Sequence, residues 1–318
     1  MGLNKKAIIF TFIGILVVAL FSVIFLARYE SPIDRKNDVI RVRVQRLNEF
    51  VEDFEVYSEN TLSVVSIKAI EGILWDIDER NDSIYNFEQA FIECTLNGTL
   101  GNGDRDCPNM PGNTLADWFD KIHKIANDKL FINFTYSFEN LSISQTQYWY
   151  LDVSLDLKYS INDTYASWGV AKSLETDVSI EGFRDPLYLI NGSTENIITR
   201  NDVIGIGQNI TMFEEFIEEG QYRVSRSSDS PSFWMRMEGE TSESDGAGIF
   251  SLVNPKDFNN DTNRSYVDFL FFNATKFKCG QGQVYAINDL STPYTKLKID
   301  LDHAQEFQFN FTQLNDTC

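Results

Sequence analysis

The stretch from Ala7 to Ala27 reads AIIFTFIGILVVALFSVIFLA and contains no charged residue. Lys5 and Lys6 precede it, and Arg28 follows it. A helix rises about 1.5 Å per residue, so this run is long enough for a hydrocarbon core of about 30 Å. The pattern predicts a transmembrane helix over residues 7–28.

The basic residues before the span predict its orientation, because lysine and arginine stay on the cytoplasmic side. We expect a cytoplasmic leader at 1–6, contact with membrane lipid through 7–27, and an extracellular C-terminal domain. The sequence therefore predicts a single-pass protein of the cell membrane.

N-glycosylation sequons support export. Twelve N-x-S/T sites follow the span, whereas chance predicts about four. Such sites carry sugar only on exported surfaces. The candidate glycosylation sites are Asn81, Asn97, Asn133, Asn140, Asn162, Asn191, Asn209, Asn260, Asn263, Asn273, Asn310 and Asn315.

The cysteines also indicate an oxidising compartment. Cys94, Cys107, Cys279 and Cys318 all follow the apolar run and can form two bridges in three pairings. Cys94 and Cys107 flank a loop rich in Gly, Asn and Pro, which a bridge between them would hold in place.

The residues Lys5-Lys6-Ala7-Ile8, directly ahead of the apolar run, resemble the class III signal peptide of archaeal type IV pilin-like proteins. The resemblance implies that a prepilin peptidase cuts between Lys6 and Ala7. It also implies that the apolar helix anchors the subunit or packs against other pilin-like subunits. Thr11 stands where bacterial pilins usually carry Glu, which favours a minor pilin or a solitary anchored protein.

Charge limits the class of partner. The chain has 27 basic and 47 acidic residues, with a net charge of −20. Such a surface repels nucleic acid, so we expect no nucleic-acid partner. The 25 Phe and 13 Tyr are enough for a folded core.

A long amphipathic helix is predicted over 34–79. Its apolar stripe recurs at steps of three and four, misses at Ser58 and resumes more loosely from Leu62. The stripe has two interpretations: it packs on the head domain, or it pairs with another chain as a stalk. Its members are Ile40, Val44, Leu47, Val51, Phe54, Leu62, Val65, Ala69 and Ile73.

The remaining chain predicts two regions. In 80–220 we expect short helices, one starting at Thr114 with a capping box to Asp117, and an antiparallel meander. In 221–318 we expect mostly strands. The predicted fold class is α+β: a transmembrane helix continuing into a long amphipathic helix, then an antiparallel β-rich extracellular head with a few short helices. The C-terminal strands are predicted at 221–224, 233–238, 266–272, 283–287, 296–301 and 306–312.

Catalytic motifs are scarce. The sequence has two histidines and contains no G-x-S-x-G, H-E-x-x-H, C-x-x-C or Walker A pattern, so we expect no cofactor and no catalytic residues. One metal candidate has oxygen spacing like that of a calcium loop, although Thr262 replaces its central Gly. Its predicted ligands are Asp257, Asn259, Asp261 and Asp268.

These patterns favour a non-enzymatic, glycosylated, pilin-like surface protein with a structural, adhesive or filament-associated role. One alternative is a membrane-tethered hydrolase that uses carboxylates, since 47 acids allow many pairs. A second alternative is a ligand-binding ectodomain.

Overall fold

A computed structural model describes eight parts of the chain. They are residues 16–24, 32–192, 196–226, 230–242, 244, 246–257, 264–273 and 284–315.

Eight helices have both ends within the described residues. They are α1 (Pro32–Arg80), α2 (Phe87–Asn97), α3 (Leu115–Leu130), α4 (Pro186–Ile190), α5 (Ile210–Glu218), α6 (Phe233–Met237), α7 (Asp268–Phe272) and α8 (Leu301–Glu306). Residues 16–24 are also helical. The predicted capping box at the start of α3 is confirmed. The Thr114 side chain accepts a hydrogen bond from Asp117 N, and the Asp117 carboxylate accepts one from Thr114 N.

The described residues include eleven strands, which are β1 (Thr99–Leu100), β2 (Arg105–Asp106), β3 (Asn133–Gln147), β4 (Tyr150–Asn162), β5 (Ser167–Ser179), β6 (Thr199–Arg200), β7 (Gln221–Val224), β8 (Ile249–Phe250), β9 (Val284–Ile287), β10 (Lys298–Asp300) and β11 (Leu314–Asn315). These strands form four small sheets. Two are the hairpin β1–β2 and the meander β3–β4–β5; the others have the orders β6–β7–β8 and β10–β9–β11.

The predicted meander is confirmed as three paired strands. Side chains on β3 and β4 pair in the descending register of antiparallel strands: Thr135 with Ser160, and Ser142 with Ser154. The strands alternate between buried apolar and more exposed polar positions, as the sequence predicts. Helix α3 contacts β3.

The chain divides into two compact units, which are residues 1–56 with 162–168 and residues 57–161 with 169–318. The predicted boundary near residue 220 therefore lies inside the second unit. In the first unit, Arg43 Nε donates to Asp163 Oδ2 at 3.0 Å, and this guanidinium lowers the pKa of Asp163.

The predicted long helix is confirmed as α1. In the second unit its stripe is buried: Leu62, Val65, Ala69 and Ile73 have no exposed surface. The first interpretation, packing on the head domain, therefore holds for this half of the helix. The opposite face is not uniformly polar, because Val64, Ile67 and Trp75 remain exposed.

The transmembrane part of the predicted fold class is wrong. Among the described residues, no helix combines the length and the apolar character that crossing a bilayer requires. Helix α1 is long enough but carries charged residues along its length. The predicted single-pass membrane location is corrected on the same finding. Residues 7–15 and 25–28 lie outside the described part of the chain.

The β-rich description of the C-terminal region is also wrong. The predicted strands at 233–238 and 266–272 contain the helices α6 and α7. Ser232 caps α6 by accepting from Met235 N, so a helical turn replaces the strand. The predicted strand at 306–312 is a helix end followed by a 3₁₀ turn. A core rich in phenylalanine, built mainly from helices and irregular segments, surrounds the short strands.

Candidate functional site

One predicted disulfide is confirmed. Cys94 and Cys107 are bonded, with their Cα atoms 5.5 Å apart. The bridge packs against Gly72 of α1, where a Cβ atom would lie 2.7 Å from Cys107 Sγ. Only glycine therefore allows this approach. Cys279 and Cys318, the other predicted pair, lie outside the described residues.

The segment closed by the disulfide contains the β1–β2 hairpin and delivers Arg105 to the end of α1. Arg105 Nε donates to Asp76 Oδ1 at 2.6 Å, and Arg105 Nη2 donates to Asp76 Oδ2 at 2.9 Å. This bidentate pair raises the pKa of Arg105. The cross-link thus holds the hairpin that carries the guanidinium.

Asp76 binds a second guanidinium from its own helix. Arg80 Nε donates to Asp76 Oδ2 at 3.0 Å, one turn further along α1. The carboxylate is buried, whereas both arginine side chains are about one-third exposed. One buried acid therefore fixes two arginines at the surface.

Both arginines line a cavity of about 330 Å³, which we call the Arg105 pocket. Such a volume lies within the range of small-molecule sites. The rest of the lining is mostly polar and comes from the α1–α2 connection, from α2 and from the hairpin. The lining residues are Arg80, Asp82, Ser83, Ile84, Tyr85, Asn86, Gln89, Ala90, Glu93, Leu100, Gly101, Asn102 and Arg105.

The polar side chains on one wall of the pocket are held by each other. Gln89 Nε2 donates to Glu93 Oε1 at 2.9 Å and to Asn102 Oδ1 at 2.8 Å. Asn102 N donates to Glu93 Oε2 at 2.9 Å, and Asn86 caps α2 by accepting from Gln89 N. The wall is therefore ordered before any ligand arrives.

A second arginine–aspartate cluster lies in the core. Arg236 Nη1 donates to Asp185 Oδ2 at 2.6 Å and to Asp268 Oδ2 at 2.9 Å, and all three side chains are fully buried. Burial and the neighbouring Asp268 raise the pKa of Asp185, although Arg236 opposes the shift. Tyr222 also donates to Asp185, at 2.7 Å. This fully buried cluster holds the fold together and offers no access to a substrate.

The predicted calcium ligands are affected by that cluster. Asp268 Oδ2 already accepts from Arg236 and from both Ser251 N and Ser251 Oγ. Asp257 is exposed, whereas Asn259 and Asp261 lie outside the described residues. The calcium loop stays a prediction for those three residues, and Asp268 serves the ion pair instead.

A buried histidine–aspartate pair is the nearest approach to a hydrolase triad. His303 Nδ1 lies 2.7 Å from Asp300 Oδ1, and Ser265 Oγ donates to Asp300 Oδ2 at 2.9 Å. A nucleophilic serine must face the other ring nitrogen of the histidine. Here the serine lies on the aspartate, and the aromatic rings of Phe250 and Phe269 pack on the histidine. The arrangement is therefore structural.

A second cavity, of about 510 Å³, offers carboxylates for the hydrolase alternative. Glu218 accepts from Lys256 and Tyr294, and these contacts lower the pKa of Glu218. Glycoside hydrolysis by two carboxyl groups needs one acid whose pKa is raised. Glu218 is thus ionised and unsuited to the role of proton donor.

The predicted glycosylation sites lie at the surface wherever the structure describes them. Nine sequon asparagines are exposed and Asn273 is half-buried, whereas Asn260 and Asn263 lie outside the described residues. The exposed sites are Asn81, Asn97, Asn133, Asn140, Asn162, Asn191, Asn209, Asn310 and Asn315.

Sequence reasoning missed the Arg105 pocket. One signal was present: Asp76 follows Ile73 at the next step of the buried stripe, so an acid there needs a basic partner. Its partner Arg105 is 29 residues away, inside a loop without a repeating pattern.

No family model, no curated protein and no solved structure matches this chain.

Proposed function

We propose that the chain is an exported, N-glycosylated, non-enzymatic protein with a structural or adhesive role. The position of the sequons carries the proposal. Of the ten that the structure describes, nine present an exposed asparagine and none is fully buried. Oligosaccharide transfer needs this access, and a bulky sugar is accommodated only at the surface.

Two further features support the same proposal. The disulfide between Cys94 and Cys107 suits an oxidising compartment. The net charge of −20 keeps acidic molecules apart from this surface and disfavours nucleic acid as a partner. A glycan coat and an acidic surface together favour a protein that contacts other molecules through selected bare patches.

A pilin-like role remains part of this proposal as its narrower form. It rests on the resemblance of Lys5-Lys6-Ala7-Ile8 to a prepilin leader, and these residues lie outside the described part of the chain. Its partners would be other pilin-like subunits. The glycoprotein proposal does not depend on it.

Glycopeptide mapping of the protein purified from cells that produce it tests the proposal. We expect sugar on several of the exposed sequon asparagines and an oxidised Cys94–Cys107 pair. Asn48 and Asn288 lie outside any sequon and serve as matched internal controls, which should stay bare. Bare asparagines at all ten described sequons, together with reduced thiols, would overturn the proposal.

A further inference from the structure

The Arg105 pocket has polar groups to spare for a ligand. Arg105 uses Nε and Nη2 on Asp76, which leaves Nη1 without a bond to any described atom. The same holds for Asn86 Nδ2, Asn102 Nδ2 and Gln89 Oε1. These groups include both donors and an acceptor, on side chains that are already fixed.

Side chains that are already fixed and still have unused hydrogen-bond donors or acceptors favour binding, because they lose little rotational freedom when a ligand binds. A hydroxyl group donates and accepts at the same time. Neighbouring hydroxyls on a ring therefore match a wall that offers unused guanidinium and amide donors together with an unused amide acceptor.

Charge decides between a neutral and an acidic ligand. The lining carries two bases, Arg80 and Arg105, and two acids, Asp82 and Glu93. The carboxylate of Asp76, which pairs with both arginines, brings the acids to one more than the bases. The whole chain is also strongly acidic. At close range in a partly desolvated cavity, an added negative charge is repelled, whereas a neutral ligand avoids this cost.

An aromatic ring stands at the rim. Tyr85 is fully exposed and lines the same cavity. Because it is exposed, the Tyr85 ring does not pack in the core. A bare aromatic face beside fixed polar groups suits the apolar C–H face of a sugar ring. Stacking on such a face adds to hydrogen bonding from the wall.

We propose that the Arg105 pocket binds a neutral pyranose sugar. Arg105, Asn86 and Asn102 donate to its hydroxyl oxygens, Gln89 Oε1 accepts from a hydroxyl, and Tyr85 stacks on the ring. This goes beyond the proposed function, because the site lies on the chain itself and does not require that the chain carry glycans.

Saturation-transfer NMR tests the proposal on the full chain, before and after enzymatic removal of N-glycans. The probes are the methyl glycosides of glucose, galactose and mannose, with methyl glucuronide as the acidic comparison. We expect at least one neutral probe to bind in both samples and the glucuronide to bind more weakly than methyl glucoside. A result in which no neutral probe binds, or in which the glucuronide binds more tightly, overturns the proposal.

Variants place the binding in the pocket. Tyr85→Ala removes an exposed ring at no cost to folding and should weaken the neutral probe by about three- to tenfold. Arg105→Gln should weaken it by about tenfold or more. The matched controls are Tyr165→Ala, another exposed tyrosine, and Arg200→Gln, whose side chain has the same 39% exposure as that of Arg105.

The controls should leave binding unchanged. Equal weakening by Tyr85→Ala and Tyr165→Ala, or no weakening by either pocket variant, would contradict the assignment. Glycopeptide mapping reports on a different property, so bare asparagines and reduced thiols combined with sugar binding would reject the glycoprotein proposal and keep this one.

Discussion

Two clusters in this molecule are built from the same two residue types in opposite proportions. In the Arg105 pocket, one aspartate binds two arginines, and both guanidiniums reach the surface. In the core, one arginine binds two aspartates, and all three side chains are buried. The polar atoms of the buried cluster hydrogen-bond to other protein atoms, whereas the surface cluster keeps a guanidinium donor that no described protein atom accepts.

The two clusters contain the same residue types. They differ in solvent exposure and in unused hydrogen-bonding groups, and these two properties distinguish a candidate binding site from a structural ion pair. A buried charge is stable only when oppositely charged or hydrogen-bonding partners surround it. Removing one partner therefore lowers the free energy of unfolding strongly. A surface charge exchanges protein for water at little cost.

The largest effect is expected from Arg236→Met. The variant leaves the buried carboxylates of Asp185 and Asp268 without their cation, which costs about 3–5 kcal/mol in the free energy of unfolding. Urea denaturation at pH 7 measures this loss. Arg200→Gln, at a surface ion pair, should lose less than about 1 kcal/mol under the same conditions. Similar losses in both variants would remove the contrast between the clusters.

The second-largest loss of stability is expected from removal of the disulfide. Cys94 and Cys107 are separated by 13 positions, and the double variant Cys94→Ser/Cys107→Ser should lose about 3 kcal/mol of stability. Because the hairpin carries Arg105, binding of the neutral sugar probe should also weaken. Denaturation and probe titration of the oxidised and reduced wild type provide the comparison. Unchanged probe binding would show that the pocket does not rely on the cross-link.

A smaller effect concerns the buried pair Asp300–His303. Burial alone lowers the pKa of His303, but the Asp300 carboxylate outweighs it, so the pKa lies above its ordinary value. Its stabilisation is present below about pH 6.5 and is lost as pH rises through the raised pKa. Between pH 6 and 9 the wild type should lose more stability than His303→Asn. Parallel pH profiles would contradict the pairing.

The same pair responds oppositely to acid. Burial raises the pKa of Asp300, yet the charge of His303 brings it below the ordinary value. The stabilisation therefore exists above about pH 3.9 and disappears as pH falls through the lowered pKa.

Among the substitutions within the two clusters, the smaller effect is expected from Arg105→Gln. Asp76 keeps its bond to Arg80, and the side chain of Arg105 is partly exposed. We expect a loss of about 1 kcal/mol in the free energy of unfolding, measured by urea denaturation. A loss as large as that of Arg236→Met would place Arg105 among the structural residues.

Much of the helix and sheet content could be predicted from periodicity. The stripe of α1 and the alternation in β3 to β5 repeat over many residues, so the pattern is unambiguous. The C-terminal helices α6 to α8 span five or six residues and the strands β7 to β11 two to four, too few to distinguish periods of 2 and 3.6. Phe307, Phe309 and Phe311 alternate as a strand would, yet Phe311 is 77% exposed.

The pocket could not be predicted because its parts come from distant positions. Asp76 and Arg105 meet only through the disulfide and the hairpin. The partners of Arg236 are likewise 51 and 32 residues away. Sequence spacing carries no signal for such pairs, whereas Asp76 on an apolar stripe did indicate that some base must approach it.

The most direct test compares the thermal unfolding midpoints of the wild type and Arg105→Gln with and without the neutral methyl glycoside that binds most tightly. A ligand that binds only the folded state raises the midpoint. The account predicts a clear rise for the wild type and little or no rise for the variant, whose midpoint without sugar lies only about 2–4 °C below that of the wild type. An equal rise in both proteins would contradict it.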